Sequence, residues 1–382
     1  MLLRARILLP VTAPPIENGG ILIRDGRIAA AGRWPEICAQ ATGDEIVDLG
    51  NVVLMPGLVN AHAHLEYTGM AGQFTGANGF AEWVRSINAS KQRNFTHDTA
   101  TEQWLTGAAM LMDSGTTTVA DVQTRAGAAM AESKLTALRI IPFIEMTGVI
   151  SRKAPEDLIG EADSLLEPYG GKGGYSPHSP YATTPGLLEL TALRARESGR
   201  VTTIHVAESN EEFEMFVHRR GPLYEMIAAL GRPMEDCDGR TPLQHVDKCE
   251  LLQKNTLLVH ANYLTDEDVA LIGGSSASVV HCPGSHAFFD HEAFRYQELK
   301  QCGVNLCLGT DSLATLSSDN GHPPELNMMS ELRRFRLKHM DVLAREVLAM
   351  ATVNGARALG LERDCGSLRP GTRADLIAIS YG

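Results

Sequence analysis

The sequence predicts a (β/α)8 TIM barrel carrying a small β-sandwich domain formed from both termini. Apolar strand candidates alternate with helical patterns through the middle of the chain, and both ends are strand-rich. A length of 382 residues leaves room for two or three domains. The expected division is 1–54 for the N-terminal part of the small domain, 55–360 for the barrel and 361–382 for its closing strands. An open doubly wound sheet is the competing architecture.

The elements follow in order. The opening Met1–Pro10 has no basic-then-apolar order and no small-residue cleavage site, so it reads as a strand and not an export signal. Ile21–Ile28 holds Asp25-Gly26 between apolar runs, a hairpin signal. Barrel strands are expected near 52–61, 116–121, 138–146, 171–177, 201–206, 255–261, 277–281 and 304–310. Between them lie helical patterns at Thr99–Met112, Pro155–Leu166, Pro185–Ser198, Glu211–Leu230 and Asp266–Ile272. Glu66–His97 is longer than an ordinary connection and is a candidate lid. Residues 366–380 alternate like strands around a Pro370-Gly371 turn.

Composition narrows the function. The charge balance, 34 − 46 = −12, disfavours nucleic acid and anionic membrane surfaces. No apolar run approaches the ~20 residues of a membrane helix. The seven cysteines include no CxxC, which argues for reduced thiols in a cytoplasm and against a cysteine zinc site. The small domain looks short. Its edge is open or covered by a partner subunit, so a homo-oligomer is one expectation.

The chemistry sits at strand ends. His62 and His64 share one face of the first barrel strand and can reach one metal. Alone, an HxH pair is a weak signal. His205 ends the fifth strand with Glu208 one turn beyond, His260 the sixth, His281 the seventh and Asp311 the eighth. A barrel brings all of these to one rim.

The segments PGLVNAHAH, SPHSPY, TIHVAES, LVHANYL, VVHCPGS and LGTDS, in that order, resemble the amidohydrolase superfamily, in particular its cytosine-, guanine- and adenosyl-deaminase and triazine-hydrolase branch. The resemblance implies His62, His64, His205 and Asp311 as metal ligands, Glu208 as proton shuttle and His260 as the polarising group. Three neutral imidazoles and a carboxylate leave a divalent ion one free position for water. The ion would lower that water's pKa from about 15.7 towards 7. Glu208 could then move its proton to a ring nitrogen and to leaving ammonia.

Two-metal members carry a lysine at the end of the fourth strand. Here Lys172 lies at its beginning, so one ion is expected. Zn2+ suits the ligands best, with Fe2+ and Mn2+ as alternatives. His64-Leu-Glu66 also gives the HxE of another zinc deaminase class, but that class needs PCxxC, which is missing.

The substrate is expected to be a small heterocycle attacked by water. The lid segment GFAEWV and SPHSPY resemble those of deaminases of thioether adenosines and aminodeoxyfutalosine. That resemblance implies Glu82 for ribose hydroxyls and His178 facing the purine. Trp83, His281 and Ser312 complete the expected substrate contacts. Guanine, cytosine or pterin deamination and s-triazine hydrolysis are alternatives on the same site. Hydantoin-type ring hydrolysis is disfavoured by the missing lysine, and a silent binding barrel by the intact ligand set.

The branch often has an arginine after the third strand, where this chain reads Ile144-Glu145. Arg125 and Arg152 are candidate replacements. Cys282 and His286 replace two amides of the branch's seventh-strand motif, and the roles of Cys282, His286, His291 and His322 stay open.

Overall fold

The computed structural model describes residues 1–94, 97–124, 136–151, 153–318 and 323–382. Arg125, Arg152 and His322 lie outside them. Six strands from the two ends of the chain form one mixed sheet: β1 (Leu2–Leu8), β2 (Ile16–Arg24), β3 (Arg27–Arg33), β4 (Ile46–Asp48), β5 (Val52–Pro56) and β14 (Leu376–Ser380). The expected sandwich takes the form of a single sheet that forks at β1. One edge of β1 pairs with β2, and the other with β4 in its first half and β5 in its second. The β2–β3 hairpin turns on Asp25 (φ 49°) and Gly26 (φ 71°), both left-handed, as a two-residue turn between twisted strands requires. Alternation along β1 and β2 sends Leu3, Ala5 and Ile21 into one apolar cluster and Leu2 and Leu22 into another beneath Trp34 and Ile37.

Eight parallel strands form the second sheet in sequence order: β6 (Leu58–Ala63), β7 (Thr116–Gln123), β8 (Arg139–Met146), β9 (Gly174–Pro177), β10 (Val201–Val206), β11 (Thr256–His260), β12 (Ser278–His281) and β13 (Asn305–Leu308). The predicted strand at 52–61 is therefore two. Residues up to Pro56 pair with β14, and the chain enters the barrel at Leu58. Closure comes from a bridge between Ala63 and Asp311, with Thr310 N donating to His62 O at 3.1 Å and His64 N to Asp311 O at 3.2 Å.

The period of two along each strand separates an inside from an outside. Val59, Val122, Phe143, Val259, Val280 and Cys307 meet within the barrel. Ile204, Val206, Leu258, Val279 and Leu308 pack outward against the helices. Helices Pro155–Leu166 and Pro185–Ser198 match expectation. The single helix expected at Glu211–Leu230 is two, Asn210–His218 and Pro222–Ala229. Arg219 (φ 54°) and Gly221 (φ 98°) take left-handed backbone, and Pro222 cannot continue a helical ladder.

The candidate lid holds a short 3-10 turn, Leu65–Met70, and a helix, Phe80–Asn94. The first two amides of that helix, Phe80 N and Ala81 N, donate to the Glu211 carboxylate at 2.8 and 3.1 Å. Gly79 (φ 91°) lets the carboxylate in, since a Cβ there would meet Glu211 Oε1 at 2.7 Å. Among the described residues no helix is long and apolar enough to cross a membrane.

Candidate active site

His62 is the fifth residue of β6, His64 follows that strand, and His205 is the fifth residue of β10. Their donor nitrogens lie within 4.8 Å of one another, and all three residues are buried. His205 Nδ1 donates to the His178 carbonyl at 2.8 Å, so its lone pair is on Nε2. That atom faces His64 Nε2 at 3.3 Å. Among the described residues, both nitrogens of His62 and Nδ1 of His64 are buried without a hydrogen-bond partner. Burial, reinforced by the neighbouring imidazoles, holds His64 and His205 well below the ordinary histidine range.

Neutral rings with converging lone pairs are a donor set for a cation. Two nitrogens each about 2.0–2.1 Å from one tetrahedral ion are about 3.3–3.4 Å apart, the spacing of His64 and His205. Asp311 Oδ1 stands 3.7 Å from His62 Nε2 and 3.8 Å from His64 Nε2. Burial works to raise the Asp311 carboxyl, but His62 and the other facing imidazoles outweigh this and hold it well below the carboxylate range. The residues fit a divalent ion. Lys172 is exposed ahead of β9, and the lysine at the cavity is Lys91, from the lid helix.

Glu208 Oε1 lies 3.5 Å from His260 Nε2. Its backbone is held from two sides: Glu208 N donates to Glu212 Oε2 at 2.9 Å, and Asn262 Nδ2 donates to Glu208 O at 2.9 Å. Burial, then the charges of Asp311 and Glu212, push the Glu208 carboxyl well above its usual range. Burial pushes Glu212 up to about 8. Left-handed backbone at Ala207 (φ 50°), His260 (φ 73°), Ala261 (φ 48°) and Asp311 (φ 56°) clusters beside these groups. Its effect is plainest on β11. There Leu257 and Val259 face the interior, and plain alternation would send His260 outward. The turn at His260 and Ala261, tied to β10 by Ala261 N donating to Val206 O at 3.0 Å, brings its ring to the cavity instead. Gly309 allows β13 to approach, because a Cβ there would meet His62 O at 2.8 Å.

These groups form the polar end of a cavity of about 490 Å3. The lid helix roofs it with Trp83, Val84, Ile87 and Lys91, and Met226, Ile227 and Leu230 supply an apolar wall. Of the residues expected to contact substrate, Trp83, His178 and Ser312 line it. His178 is pinned by Ser179 Oγ at 2.9 Å from its Nδ1. Arg232, which is 4 % exposed, holds that loop by donating to Pro180 O and Thr183 O, both at 3.0 Å.

Two expected contacts lie elsewhere. Glu82 is half exposed and pairs at 3.1 Å with Arg85, which itself lines the cavity. His281 shares the outward face of β12 with Val279 and stacks on Phe294 at 4.0 Å. Cys282 is a buried thiol raised by that burial. His286 Nε2 donates to Glu292 O at 2.8 Å, and His291 Nδ1 meets Tyr263 Oη at 3.2 Å.

Other participants went unrecognised in the sequence. Asp121 accepts from Trp104 Nε1 at 2.7 Å and from Leu65 N at 3.1 Å, fixing the turn after His64. Asn60 bonds Thr310 Oγ1 at 2.7 Å and Thr310 N at 3.2 Å, locking β6 to the Asp311 segment. Glu145 lines the cavity, and its signal was alternation, since Ile141, Phe143 and Glu145 share one face of β8.

A closed barrel with a convergent imidazole–carboxylate set beside a buried acid is the working centre of a hydrolytic enzyme. The chain belongs to the amidohydrolase family, whose model matches residues 53–381. It is 29% identical to the 5-methylthioadenosine/S-adenosylhomocysteine deaminase of Moorella thermoacetica, covering 99% of this chain and 85% of that one. It is 30% identical to the enzyme of the same name from Saccharophagus degradans, covering 100% and 83%.

Among solved structures, an adenosine deaminase from Xanthomonas campestris with bound zinc superposes with a TM-score of 0.86 at 23% identity, covering 99% of this chain and 84% of that one. The aminofutalosine deaminase of Helicobacter pylori in complex with methylthio-coformycin gives 0.82 at 20%, covering 100% and 92%. A zinc-complexed atrazine chlorohydrolase from Arthrobacter aurescens gives 0.84 at 19%, covering 99% and 87%.

Proposed function

We propose that the protein is a metal-dependent hydrolytic deaminase that removes the 6-amino group of an adenine nucleoside, with a thioether adenosine as the leading substrate. The observation that carries the chemistry is the meeting of His62, His64, His205 and Asp311 beside Glu208 and His260, all of them but His62 lining one cavity. The apolar wall of Met226, Ile227 and Leu230 suits an alkylthio substituent, and the names of the relatives agree.

His62, His64, His205 and Asp311 would hold one divalent ion, with zinc the leading choice. When bound, the ion supplies hydroxide from water at neutral pH and draws electrons from the attacked centre. Glu208 moves protons. It takes one from the attacking water and places it on the ring nitrogen beside the attacked carbon. The second water proton goes to the exocyclic nitrogen, which leaves as ammonia while the carbon becomes a carbonyl. His260, kept neutral by burial, donates from its ring N–H to the attacking oxygen and orients it. Asp311 stays ionised and orients the water. Trp83, His178 and Ser312 are the proposed substrate contacts, with Trp83 and the apolar wall excluding bulk water.

The test is ammonia release by zinc-loaded protein from adenosine, 5′-methylthioadenosine, aminodeoxyfutalosine, guanine, cytosine, a pterin and an aminotriazine. Turnover of an adenine nucleoside above all others is expected. Silence on adenine compounds with turnover elsewhere would leave the metal centre standing and discard the nucleoside.

A further inference from the structure

We propose that Arg232 is a positioning residue for the reaction. Paired with Asp236, it sets where the 178–183 loop stands, and through that loop it governs both substrate binding at His178 and the orientation of His205 towards the metal. The effect on substrate rests on the adenine-nucleoside reading above; the effect on metal does not.

Arg232 stands apart chemically. No other arginine or lysine among the described residues is buried to the same degree. A guanidinium has five N–H donors, and here all five are used. Nε donates to Thr183 O and Nη2 to Pro180 O, each at 3.0 Å. The others go to Pro233 O at 2.8 Å and to the two Asp236 carboxylate oxygens at 2.7 and 2.5 Å. The guanidinium lies over the Phe216 ring at 5.8 Å, and buried His245 closes on Asp236 Oδ2 at 3.5 Å. Stability alone gives little reason for such a pair, because apolar residues of the same volume often fold a protein as well or better. A planar fork that fixes two carbonyls does have a use, and a lysine cannot reproduce it.

The carbonyls it holds belong to the loop on which the site depends. That loop begins at His178, whose ring lines the cavity and whose carbonyl accepts from His205 Nδ1 at 2.8 Å, leaving Nε2 for the metal. Tyr181 and Ala182 line the same cavity, and Tyr181 meets Phe80 of the lid helix edge-on at 6.0 Å. Arg232 also follows directly on Met226, Ile227 and Leu230, the apolar wall. One guanidinium therefore ties that wall to the His178 loop and fixes their separation. Its side chain is not part of the cavity lining, so its influence passes through the backbone. A shift of about 1 Å in a binding group, caused from a distance, can cost as much as about 10²-fold.

The experiment takes the full chain as wild type, Arg232→Lys and Arg232→Ala. It measures zinc affinity by competition with a chelator, the denaturant midpoint, and kcat and KM for 5′-methylthioadenosine at saturating zinc. Arg232→Lys keeps a charge beside Asp236 but offers donors from a single nitrogen, so it cannot span both carbonyls. It should raise KM about tenfold or more, keep kcat within about threefold and weaken zinc binding about tenfold. Arg232→Ala should show the same losses. Millimolar guanidinium, far below the molar range in which it unfolds proteins, should restore them where methylammonium does not. Should Arg232→Ala fail to fold, Arg232→Lys decides alone. A merely structural role would lower the denaturant midpoint yet leave KM and zinc affinity of the folded protein at wild-type values, and that result overturns the proposal. Equal rescue by methylammonium also overturns it, because charge and not the fork would then be what matters. If wild type leaves 5′-methylthioadenosine untouched, the nucleoside reading fails, and the zinc affinity of Arg232→Lys still decides the role of Arg232.

Discussion

His205 and His281 look alike in the sequence, each closing an apolar strand, yet they do opposite things. On β10, Ile204 and Val206 pack outward, so His205 points in, at 3.3 Å from His64. On β12 the outward residue is Val279, and His281 shares its face, stacked on Phe294 and edge-on to Phe335. Being at the end of a barrel strand is therefore not sufficient. The parity of the position decides, unless the backbone breaks the alternation, as it does at His260 with φ 73°.

The largest effect should come from the inward member. His205→Ala removes one of the three converging nitrogen donors, so metal analysis should show loss of the ion and turnover should fall to background. Retention of a full equivalent would break the comparison. Next is Glu208→Gln, which keeps the volume but not the proton. Metal content should be unchanged and kcat should fall by about 10²–10⁴-fold. Unchanged turnover would remove Glu208 from its assigned role.

The outward member should matter to stability more than to turnover. Burial keeps His281 neutral, well below the ordinary value of 6.5. The unfolded chain takes up that proton near 6.5 and the folded chain does not, so this contribution is full above that pH and erodes as pH falls. His281→Phe should flatten the acid limb of denaturant stability below about pH 6.5 and leave kcat within about threefold. An unchanged acid limb would place His281 in a wetter setting than its stacking implies. The smallest effect belongs to Glu82→Gln, expected to alter kcat/KM less than about twofold, since an exposed pair with Arg85 is worth little. A tenfold rise in KM for nucleosides but not for free bases would restore it as a ribose contact.

What the sequence made legible was what depends on order and local pattern. The hairpin at Asp25-Gly26, the eight strands and the inward His205 follow from turn chemistry and alternation, whereas His62 and His64 reach the site past a register irregularity in β6 between Asn60 and Ala63. What stayed hidden depends on partners distant in sequence. Nothing near Asp121 announces that it will hold Leu65 N, and nothing near Asn262 that it will hold the Glu208 carbonyl. Glu82 is absent from the lining because the resemblance supplied a role while the helix supplied a partner, and Arg85 takes up that carboxylate at the cavity's edge. The break at Arg219–Pro222 was readable from the Gly-Pro pair but was overridden by the apolar period on either side.

One eight-residue stretch, 205–212, bears consequences beyond its length. It carries the inward imidazole, the buried acid, the Glu211 carboxylate that seats the lid helix and the Glu212 brace beneath the acid. A library built to broaden substrate range would find this stretch nearly immutable, because each change to the roof's anchorage is also a change to the proton carrier. The roof's own residues, Trp83 to Lys91, have no such double duty. Retuning the protein for new substrates should proceed through the ceiling and leave the hinge-pin alone.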